Sequence, residues 1–270
     1  MALSLRQVIP IGVSLCVLVA PAIGQSGGAL PNAGESPESR EALLSPECRV
    51  PASELHDLAP LKRAKTAVEQ KGPLKVPLKV LALGPPSPSA GGGGTGLAPY
   101  PVRLEHELEK VLAGVDVTVQ GRTLPGDITA QAVGTIMNIA SETEPALIVW
   151  QVGIDDALAQ AEIAPFAEAL DEILAWFRSH EIDVVLVEPP YTKAMATDAH
   201  FTDLIATIRA RARANEVPLI RRSAAMRFLF EQRTDPAQSS FGLQNLGYHC
   251  TAEHVGLVVR LSLERFAAIK

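Results

Sequence analysis

Two parts of this sequence carry residue types that can do chemistry: a serine-, proline- and glycine-rich segment at residues 84–96, and His249 near the C-terminus. Cleavage of an ester needs a hydroxyl nucleophile, a base, a group that orients the base, and N–H donors for the developing oxyanion. Ser87 offers a hydroxyl, although a serine between prolines is also an ordinary turn residue. His249 has the side chain of a base, in a predicted loop that leads into the last helix, and the alternative is a surface or helix-capping histidine.

The glycines at residues 91–94 also suggest a phosphate-binding turn, because backbone N–H groups of such turns bind phosphate. The segment lacks the lysine and the spacing of a P-loop, and no G-x-G-x-x-G turn comes directly after the preceding β-rich run. Pro85, Pro86 and Pro88 also remove N–H donors that a phosphate cradle requires. These features argue against a nucleotide-binding loop.

Short β-rich runs alternate with segments of helical periodicity from Leu78 onward. Strands are predicted at Leu78–Leu83, Val115–Val119, Ala146–Gln151, Asp183–Val187 and Val217–Ile220. Helices are predicted at Pro101–Leu112, Ile128–Ala140, Pro165–Ser179, Phe201–Asn215, Ala224–Arg233 and Thr251–Ala268. This alternation predicts an α/β fold, a three-layer α/β/α sandwich with a five-stranded parallel sheet. Ligands of such sheets bind beyond the carboxyl ends of the strands, so the loops there are the ones to inspect.

The N-terminus has the features of a signal peptide. Arg6 precedes an apolar run over residues 8–23, and Ala22 and Gly24 supply small residues for a cut before Gln25. The alternative is an uncleaved membrane anchor, but the run is short for a span of about 20 residues. Cleavage after Gly24 would make the protein periplasmic or secreted, with no stable membrane span in the mature chain.

The remaining chain divides by composition. Residues 1–24 are the predicted signal peptide, and residues 25–46 have the Gly-, Pro- and Ser-rich composition of a flexible leader. Residues 47–77 form a predicted N-terminal extension with an amphipathic helix over Leu58–Gln70. Residues 78–270 hold the α/β domain.

Charge and cysteine content narrow the class of protein. The formal net charge of −6 gives no basic surface of the kind that nucleic-acid binding needs. Removal of the signal peptide would leave Cys48 and Cys250, an even number in a compartment that permits disulfides. A bridge between them would stabilise the fold by about 4–5 kcal/mol, and the alternative is two buried thiols. The pair lacks further ligands at suitable spacing for a metal site.

Four blocks of sequence carry a family resemblance, in order and at predicted strand ends: Leu81-Ala82-Leu83-Gly84 with Tyr100-Pro101-Val102-Arg103 after the turn, Arg122-Thr123-Leu124-Pro125-Gly126-Asp127, Trp150-Gln151-Val152-Gly153-Ile154-Asp155-Asp156, and Leu246-Gly247-Tyr248-His249. They resemble the blocks of the SGNH (GDSL-like) serine hydrolases. In that family a strand ends in Gly-x-Ser, and later blocks read Gly-x-Asn-Asp and Asp-x-x-His.

The resemblance implies the flavodoxin-like fold of SGNH hydrolases and a role for each matching residue. Ser87 would be the nucleophile and His249 the base. The backbone N–H groups of Ser87 and Gly126 would bind the oxyanion, with Asp155 at the position of the family's asparagine. The resemblance implies no metal and no organic cofactor.

Three positions depart from the family pattern. An ungapped count from Gly84 puts Pro86 at the nucleophile position, whereas one inserted proline puts Ser87 there. Asp155 replaces an asparagine whose amide would donate to the oxyanion, and an ionised carboxylate only accepts hydrogen bonds. Leu246 replaces the aspartate that orients the histidine, so His249 would depend on a backbone carbonyl or Asn245.

Two hypotheses follow. In the first, the protein is an exported hydrolase of an ester, such as an acyl or acetyl group on a carbohydrate. In the second, it is a catalytically impaired relative that binds an envelope polysaccharide as an accessory factor. The expected partner is a small ester or an acylated carbohydrate, and not nucleic acid.

Overall fold

The computed structural model describes residues 43–70, 76–85, 98–124, 126–232 and 240–266. The predicted signal peptide, most of the leader, and the segment with Pro86 and Ser87 lie outside these residues. Within the described ranges, no helix combines the length and the apolar composition that a membrane crossing needs.

The predicted α/β sandwich is confirmed, with six strands in its sheet instead of five. The strands are β1 His56–Asp57, β2 Leu78–Gly84, β3 Val117–Thr123, β4 Leu147–Gln151, β5 Asp183–Val187 and β6 Leu219–Ile220. Their order across the sheet is β1-β6-β5-β4-β2-β3. All neighbours are parallel except β1, which runs antiparallel to β6. Two residues are too few to show an alternating pattern, so the sequence did not predict β1.

Helices cover both faces of the sheet. They are α1 Ala52–Leu55, α2 Lys62–Val68, α3 Tyr100–Val111, α4 Thr129–Thr143, α5 Ile154–Ala159, α6 Ile163–Ser179, α7 Ala199–Ala214, α8 Arg222–Glu231 and α9 Ser240–Arg265, with short 3₁₀ turns at Pro46–Cys48 and Met195–Thr197. Edge strand β3 extends to Thr123, beyond its predicted end at Val119. The prediction stopped early because the second half of the strand is largely exposed and carries no apolar run.

The side chains of each strand alternate between two apolar layers, as the pleat of a strand requires. One layer lies against α4, α6 and α7 and includes Leu81, Leu83, Ile148, Trp150, Ile136, Phe166, Leu170 and Leu204. The other lies against α2, α3 and α9 and includes Val80, Ala82, Leu147, Val149, Ala64, Leu104, Val255 and Val259. All five residues of β4 are buried, which explains the continuous apolar run in the sequence.

The N-terminal extension, in which we include residues 43–46 from the end of the predicted leader, packs on the C-terminal helices. Cys48 and Cys250 form a disulfide bridge across 202 residues of sequence. Both sulfurs lie in a third apolar cluster, which also contains Leu44 and Leu257. Strand β1 and the disulfide therefore attach residues 43–57 to the α/β domain at two separate points.

Candidate active site

The carboxyl ends of the parallel strands bring together the loops that the sequence singled out. Gly84 ends β2 against Gln151, the last residue of β4. A Cβ at position 84 would lie 2.8 Å from the Gln151 Cβ, so the close approach of these two strand ends requires glycine. The chain enters the segment that carries Ser87 immediately beyond this point.

Hydrogen bonds join the start of α4, which follows β3, to the first turn of α5, which follows β4. The Asp156 carboxylate accepts the Thr129 backbone N–H at 2.9 Å and the Thr129 hydroxyl at 2.7 Å. Asp156 is 2% exposed, so these bonds fill the polar capacity of a buried carboxylate. They also place Gly126, three residues before Thr129, and Asp155, directly before Asp156, at the same edge of the sheet. The segments that carry the two predicted oxyanion-hole positions are thus linked through Thr129 and Asp156, and their role in binding an oxyanion stays a prediction.

Glycines give both of these loops their backbone conformations. Gly126 has φ +70° and Gly153 has φ +81°, both in the region that disfavours residues with a Cβ. Gly153 is also the N-cap of α5, so it directs Asp155 into the first turn of that helix. These two glycines fix the loop shapes at the position where an oxyanion would be bound.

Asp155 has the electrostatic environment of a carboxyl group that resists ionisation. Burial raises the pKa of Asp155, and the negative charges of Asp156 and Asp127 raise it further. A neutral carboxyl group can donate one hydrogen bond, whereas the ionised form only accepts. The shift therefore favours the form that resembles an amide donor.

His249 lies inside the last helix, which corrects the prediction that it sits in a loop before that helix. Helix α9 begins at Ser240, and the prediction placed its start at Thr251. Glycine has a low helix propensity, so Gly247 by itself disfavours a helix there. The structure explains this glycine, because a Cβ at position 247 would lie 2.6 Å from the Met226 side chain of α8. Close packing of α9 on α8 therefore overrides the low helix propensity.

A carboxylate contacts the imidazole ring of His249. The Nε2 atom of His249 lies 3.2 Å from Oε1 of Glu253, and 3.8 Å from Oε1 of Glu47. The hydrogen bond to Glu253 raises the pKa of His249, while partial burial and Arg103 oppose the rise. Glu253 therefore contacts His249 where a backbone carbonyl or Asn245 was expected to do so.

Polar side chains extend from the end of β4 toward His249. Gln151 accepts a hydrogen bond from Nη1 of Arg222 at 3.0 Å, and Arg222 is 1% exposed. Burial raises the pKa of Tyr100, and the charges of Arg222 and Arg103 partly oppose that rise. The charge of Arg103 also lowers the pKa of His249. The four groups therefore connect the His249 region electrostatically to the strand ends.

The turn after β5 is part of the scaffold. Glu188 is fully buried at the end of this strand, and both of its carboxylate oxygens bind Arg209 of α7, at 2.6 Å and 3.2 Å. A buried, bidentate pair of this kind fixes geometry and leaves no free carboxylate for catalysis. The sequence did not reveal the pair, because its members are 21 residues apart and α7 carries several other arginines.

Cys48, His249 and Glu253 approach each other within 4.8 Å and have the residue types of metal ligands. However, the sulfur of Cys48 is bonded to Cys250, so it cannot supply a thiolate. The remaining histidine and carboxylate are paired with each other. Their chemistry fits an oriented base better than a metal centre.

Comparisons with known proteins agree with this architecture. The model of the Non-GDSL lipase-like family matches residues 47–253. The fold is similar to that of a variant of Axe2, an acetyl-xylooligosaccharide esterase from Geobacillus stearothermophilus, with a TM-score of 0.56, 14% identity, and coverage of 67% of this chain and 94% of that chain. It is also similar to LAE5, an alpha/beta hydrolase enzyme from the metagenome of Lake Arreo, with a TM-score of 0.55, 16% identity, and coverage of 69% and 94%. No curated protein matches the sequence.

Proposed function

The chain belongs to the Non-GDSL lipase-like family, and from this premise we propose that it hydrolyses an ester, with an acyl or acetyl group on a carbohydrate as the substrate class. The solved structure with a similar fold that is named an acetyl-xylooligosaccharide esterase supports this choice of substrate. An N-terminal segment with the composition of a signal peptide supports action outside the cytoplasm, in the periplasm or in the medium.

In the proposed mechanism, the Ser87 hydroxyl attacks the ester carbonyl while His249 accepts its proton. The backbone N–H groups of Ser87 and Gly126 stabilise the oxyanion, and a neutral Asp155 adds a third donor. His249 then gives the proton to the departing alcohol, which leaves an acyl group on Ser87. A water molecule, deprotonated by His249, releases the acid and restores the serine.

The observation that carries the proposal is the connection between the loops after β3 and β4. Hydrogen bonds from Thr129 to Asp156 hold Gly126 and Asp155 at one edge, beside the point where the chain leaves β2 toward Ser87. Oxyanion stabilisation depends on donors that are fixed before the reaction begins. The two glycines with positive φ and the buried Asp156 provide that rigidity.

One observation favours a second candidate function. Asp155 stands where the family resemblance expects an amide, and an ionised carboxylate there would repel a developing negative charge. In this alternative, the protein keeps the cleft and binds an envelope polysaccharide without efficient turnover.

Hydrolysis of p-nitrophenyl acetate by the purified mature protein tests the proposal. We expect Ser87→Ala and His249→Ala each to lower kcat/KM on the order of 10³-fold or more. Ser179→Ala and His180→Ala are matched controls, because both residues are exposed at the end of α6. This end of α6 lies just before β5 begins, and so away from the carboxyl ends of the strands. The controls should keep the activity of the unsubstituted protein.

The outcomes separate the hypotheses. Activity that survives both Ser87→Ala and His249→Ala would contradict the assigned residues. Absence of hydrolysis together with binding of an acetylated polysaccharide, measured by calorimetry, would favour the accessory factor.

A further inference from the structure

His249 and Glu253 form an ion pair on one face of α9. They are four residues apart, the spacing at which helical side chains meet. The distance from Nε2 of His249 to Oε1 of Glu253 is 3.2 Å. The Glu253 side chain is 5% exposed, whereas that of His249 is 35% exposed. The carboxylate is thus the inner member of the pair and the imidazole the outer member, with access to solvent and to a ligand.

The N-terminal extension holds Glu253 from the other side. Oε2 of Glu253 accepts a hydrogen bond from the backbone N–H of Ser45 at 2.7 Å, and Oε1 of Glu253 is directed at His249. The Cys48–Cys250 disulfide lies beside this contact, and the Cys48 carbonyl accepts Nε2 of His254 at 2.8 Å. Backbone and covalent bonds from residues 45–48 therefore fix the helix face that carries the pair.

The charges support this arrangement. Burial by itself would raise the pKa of Glu253, but the hydrogen bonds from His249 and Ser45 lower it to about 2. Glu253 is therefore ionised throughout the range in which His249 titrates. The other charged groups that face His249 are Glu47, from the 3₁₀ turn, and Arg103, from α3, and they act on its pKa in opposite directions.

We infer that Glu253 is the positioning residue for His249, replacing the aspartate that the family resemblance expected at Leu246, and that the extension braces it through Ser45 and the disulfide. Because Glu253 engages Nε2, proton transfer at His249 takes place through Nδ1. This inference rests on the proposed function, because it assigns His249 as the base. It also predicts that residues 43–50, which precede the α/β domain in the chain, are required for full activity.

Nuclear magnetic resonance of the histidine ring protons tests the pairing without relying on activity. We expect the pKa of His249 to fall in Glu253→Gln, because the substitution removes the negative charge and keeps the size of the side chain. The signal of His249 is assigned by its absence in His249→Gln. Glu264→Gln is the matched control, because Glu264 makes the same i,i+4 contact with Arg260 on the same helix. The control should leave the pKa of His249 unchanged.

Kinetics on p-nitrophenyl acetate test the positioning role. We expect Glu253→Gln to lower kcat on the order of 10²–10⁴-fold with KM nearly unchanged, because an orienting carboxylate acts on the transition state and not on substrate binding. In the pH profile of kcat/KM, the acidic limb should move to lower pH. Glu264→Gln should retain the kcat and the profile of the unsubstituted protein.

A second variant covers the case in which Glu253→Gln does not fold. Ser45→Pro removes the N–H that braces Glu253, and the φ of −58° at Ser45 suits proline. We expect this variant to lower kcat, while its folded content matches that of the unsubstituted protein by circular dichroism.

An unchanged His249 pKa in Glu253→Gln, or full kcat in that variant or in Ser45→Pro, would overturn the inference. A lowered His249 pKa without esterase activity in the unsubstituted protein would refute the proposed function, while the histidine–carboxylate pair would stand. The two failures are therefore distinguishable.

Discussion

Adjacent aspartates in the first turn of α5 have different tasks. Asp156 is buried and anchors Thr129, so it is a structural acceptor. Asp155 is only partly buried, and its hydrogen-bonding role depends on its protonation state. The difference comes from side-chain direction, because successive residues of a helix point about 100° apart. Asp155 is therefore the residue at which a single substitution tests the proposed oxyanion hole.

Replacement of Asp155 by asparagine should raise esterase turnover. An amide donates a hydrogen bond at every pH, and one oxyanion-hole donor typically contributes about 10²–10³ in rate. We therefore expect a gain on the order of 10²-fold in kcat near pH 8. The gain should shrink at acid pH, where the carboxyl group itself can donate.

The matched control for this prediction is Asp127→Asn. That variant removes one of the charges that raise the pKa of Asp155 without placing an amide at position 155. A rise in turnover only in Asp155→Asn identifies donation as the cause. An unchanged or lower rate in Asp155→Asn would mean that the carboxylate does no harm or performs another task.

The N-terminal extension and α9 behave as one structural unit. The disulfide joins them, and Nε2 of the buried His254 of α9 donates a hydrogen bond to the Cys48 carbonyl. Strand β1 of the same extension pairs with β6, and Arg221 donates its backbone N–H to Leu55. The short helical and extended pieces of the extension have little stability alone, so their order depends on these contacts.

Loss of the disulfide should destabilise the whole domain. The double variant Cys48→Ser with Cys250→Ser opens a loop of 202 residues, for which the chain-entropy estimate is about 5 kcal/mol. We expect the midpoint of urea unfolding to fall accordingly, with a similar fall for the unsubstituted protein in a strong reductant. Equal unfolding midpoints with and without the bridge would contradict this role of the extension.

Several buried groups give the whole molecule a stability that depends on pH, and their effects differ in sign. Burial lowers the pKa of His254 to about 4, so its contribution is lost as the pH falls from about 6.5 through 4. Burial raises the pKa of Asp183 to about 6, so its contribution is present below about pH 4 and is lost as the pH rises through 6. Stability in mild acid is therefore a balance between an imidazole of α9 and a carboxyl group of β5.

Replacement of Asp183 by asparagine should remove the pH-dependent contribution of the Asp183 carboxyl group and leave that of His254. At neutral pH the ionised Asp183 is half-buried at the start of β5, where it accepts the backbone N–H of Ala64 at 2.9 Å. An asparagine never ionises. The free energy of unfolding of Asp183→Asn, taken relative to that of the unsubstituted protein, should therefore be higher at pH 7.5 than at pH 5. We expect the difference to be about 1 kcal/mol in the free energy of unfolding.

Urea unfolding at the two pH values measures this difference. Asp116→Asn is the control, because Asp116 is an exposed aspartate just before a parallel strand, β3. A pH-independent effect of Asp183→Asn would contradict the raised pKa of the buried carboxyl group.

The sequence by itself determined the layered α/β architecture. Alternating apolar runs and helical periods specify local structure, and a buried parallel strand such as β4 must be apolar on both faces. The bounds of β4 and β5 agree with their predictions to within one residue, because both strands lie in the centre of the sheet. The loops that carry Gly126 and Asp155 were also within reach of the sequence, because each of them follows a predicted strand.

Only the tertiary structure decided how His249 is oriented and what the N-terminal extension does. The contact of Ser45 with Glu253 spans 208 residues, and that of Cys48 with His254 spans 206. No local pattern specifies such pairs, because their free energy arises only when distant segments pack against each other. The same packing extended α9 through Gly247 and so moved His249 from an expected loop into a helix, where a carboxylate four residues later could reach it.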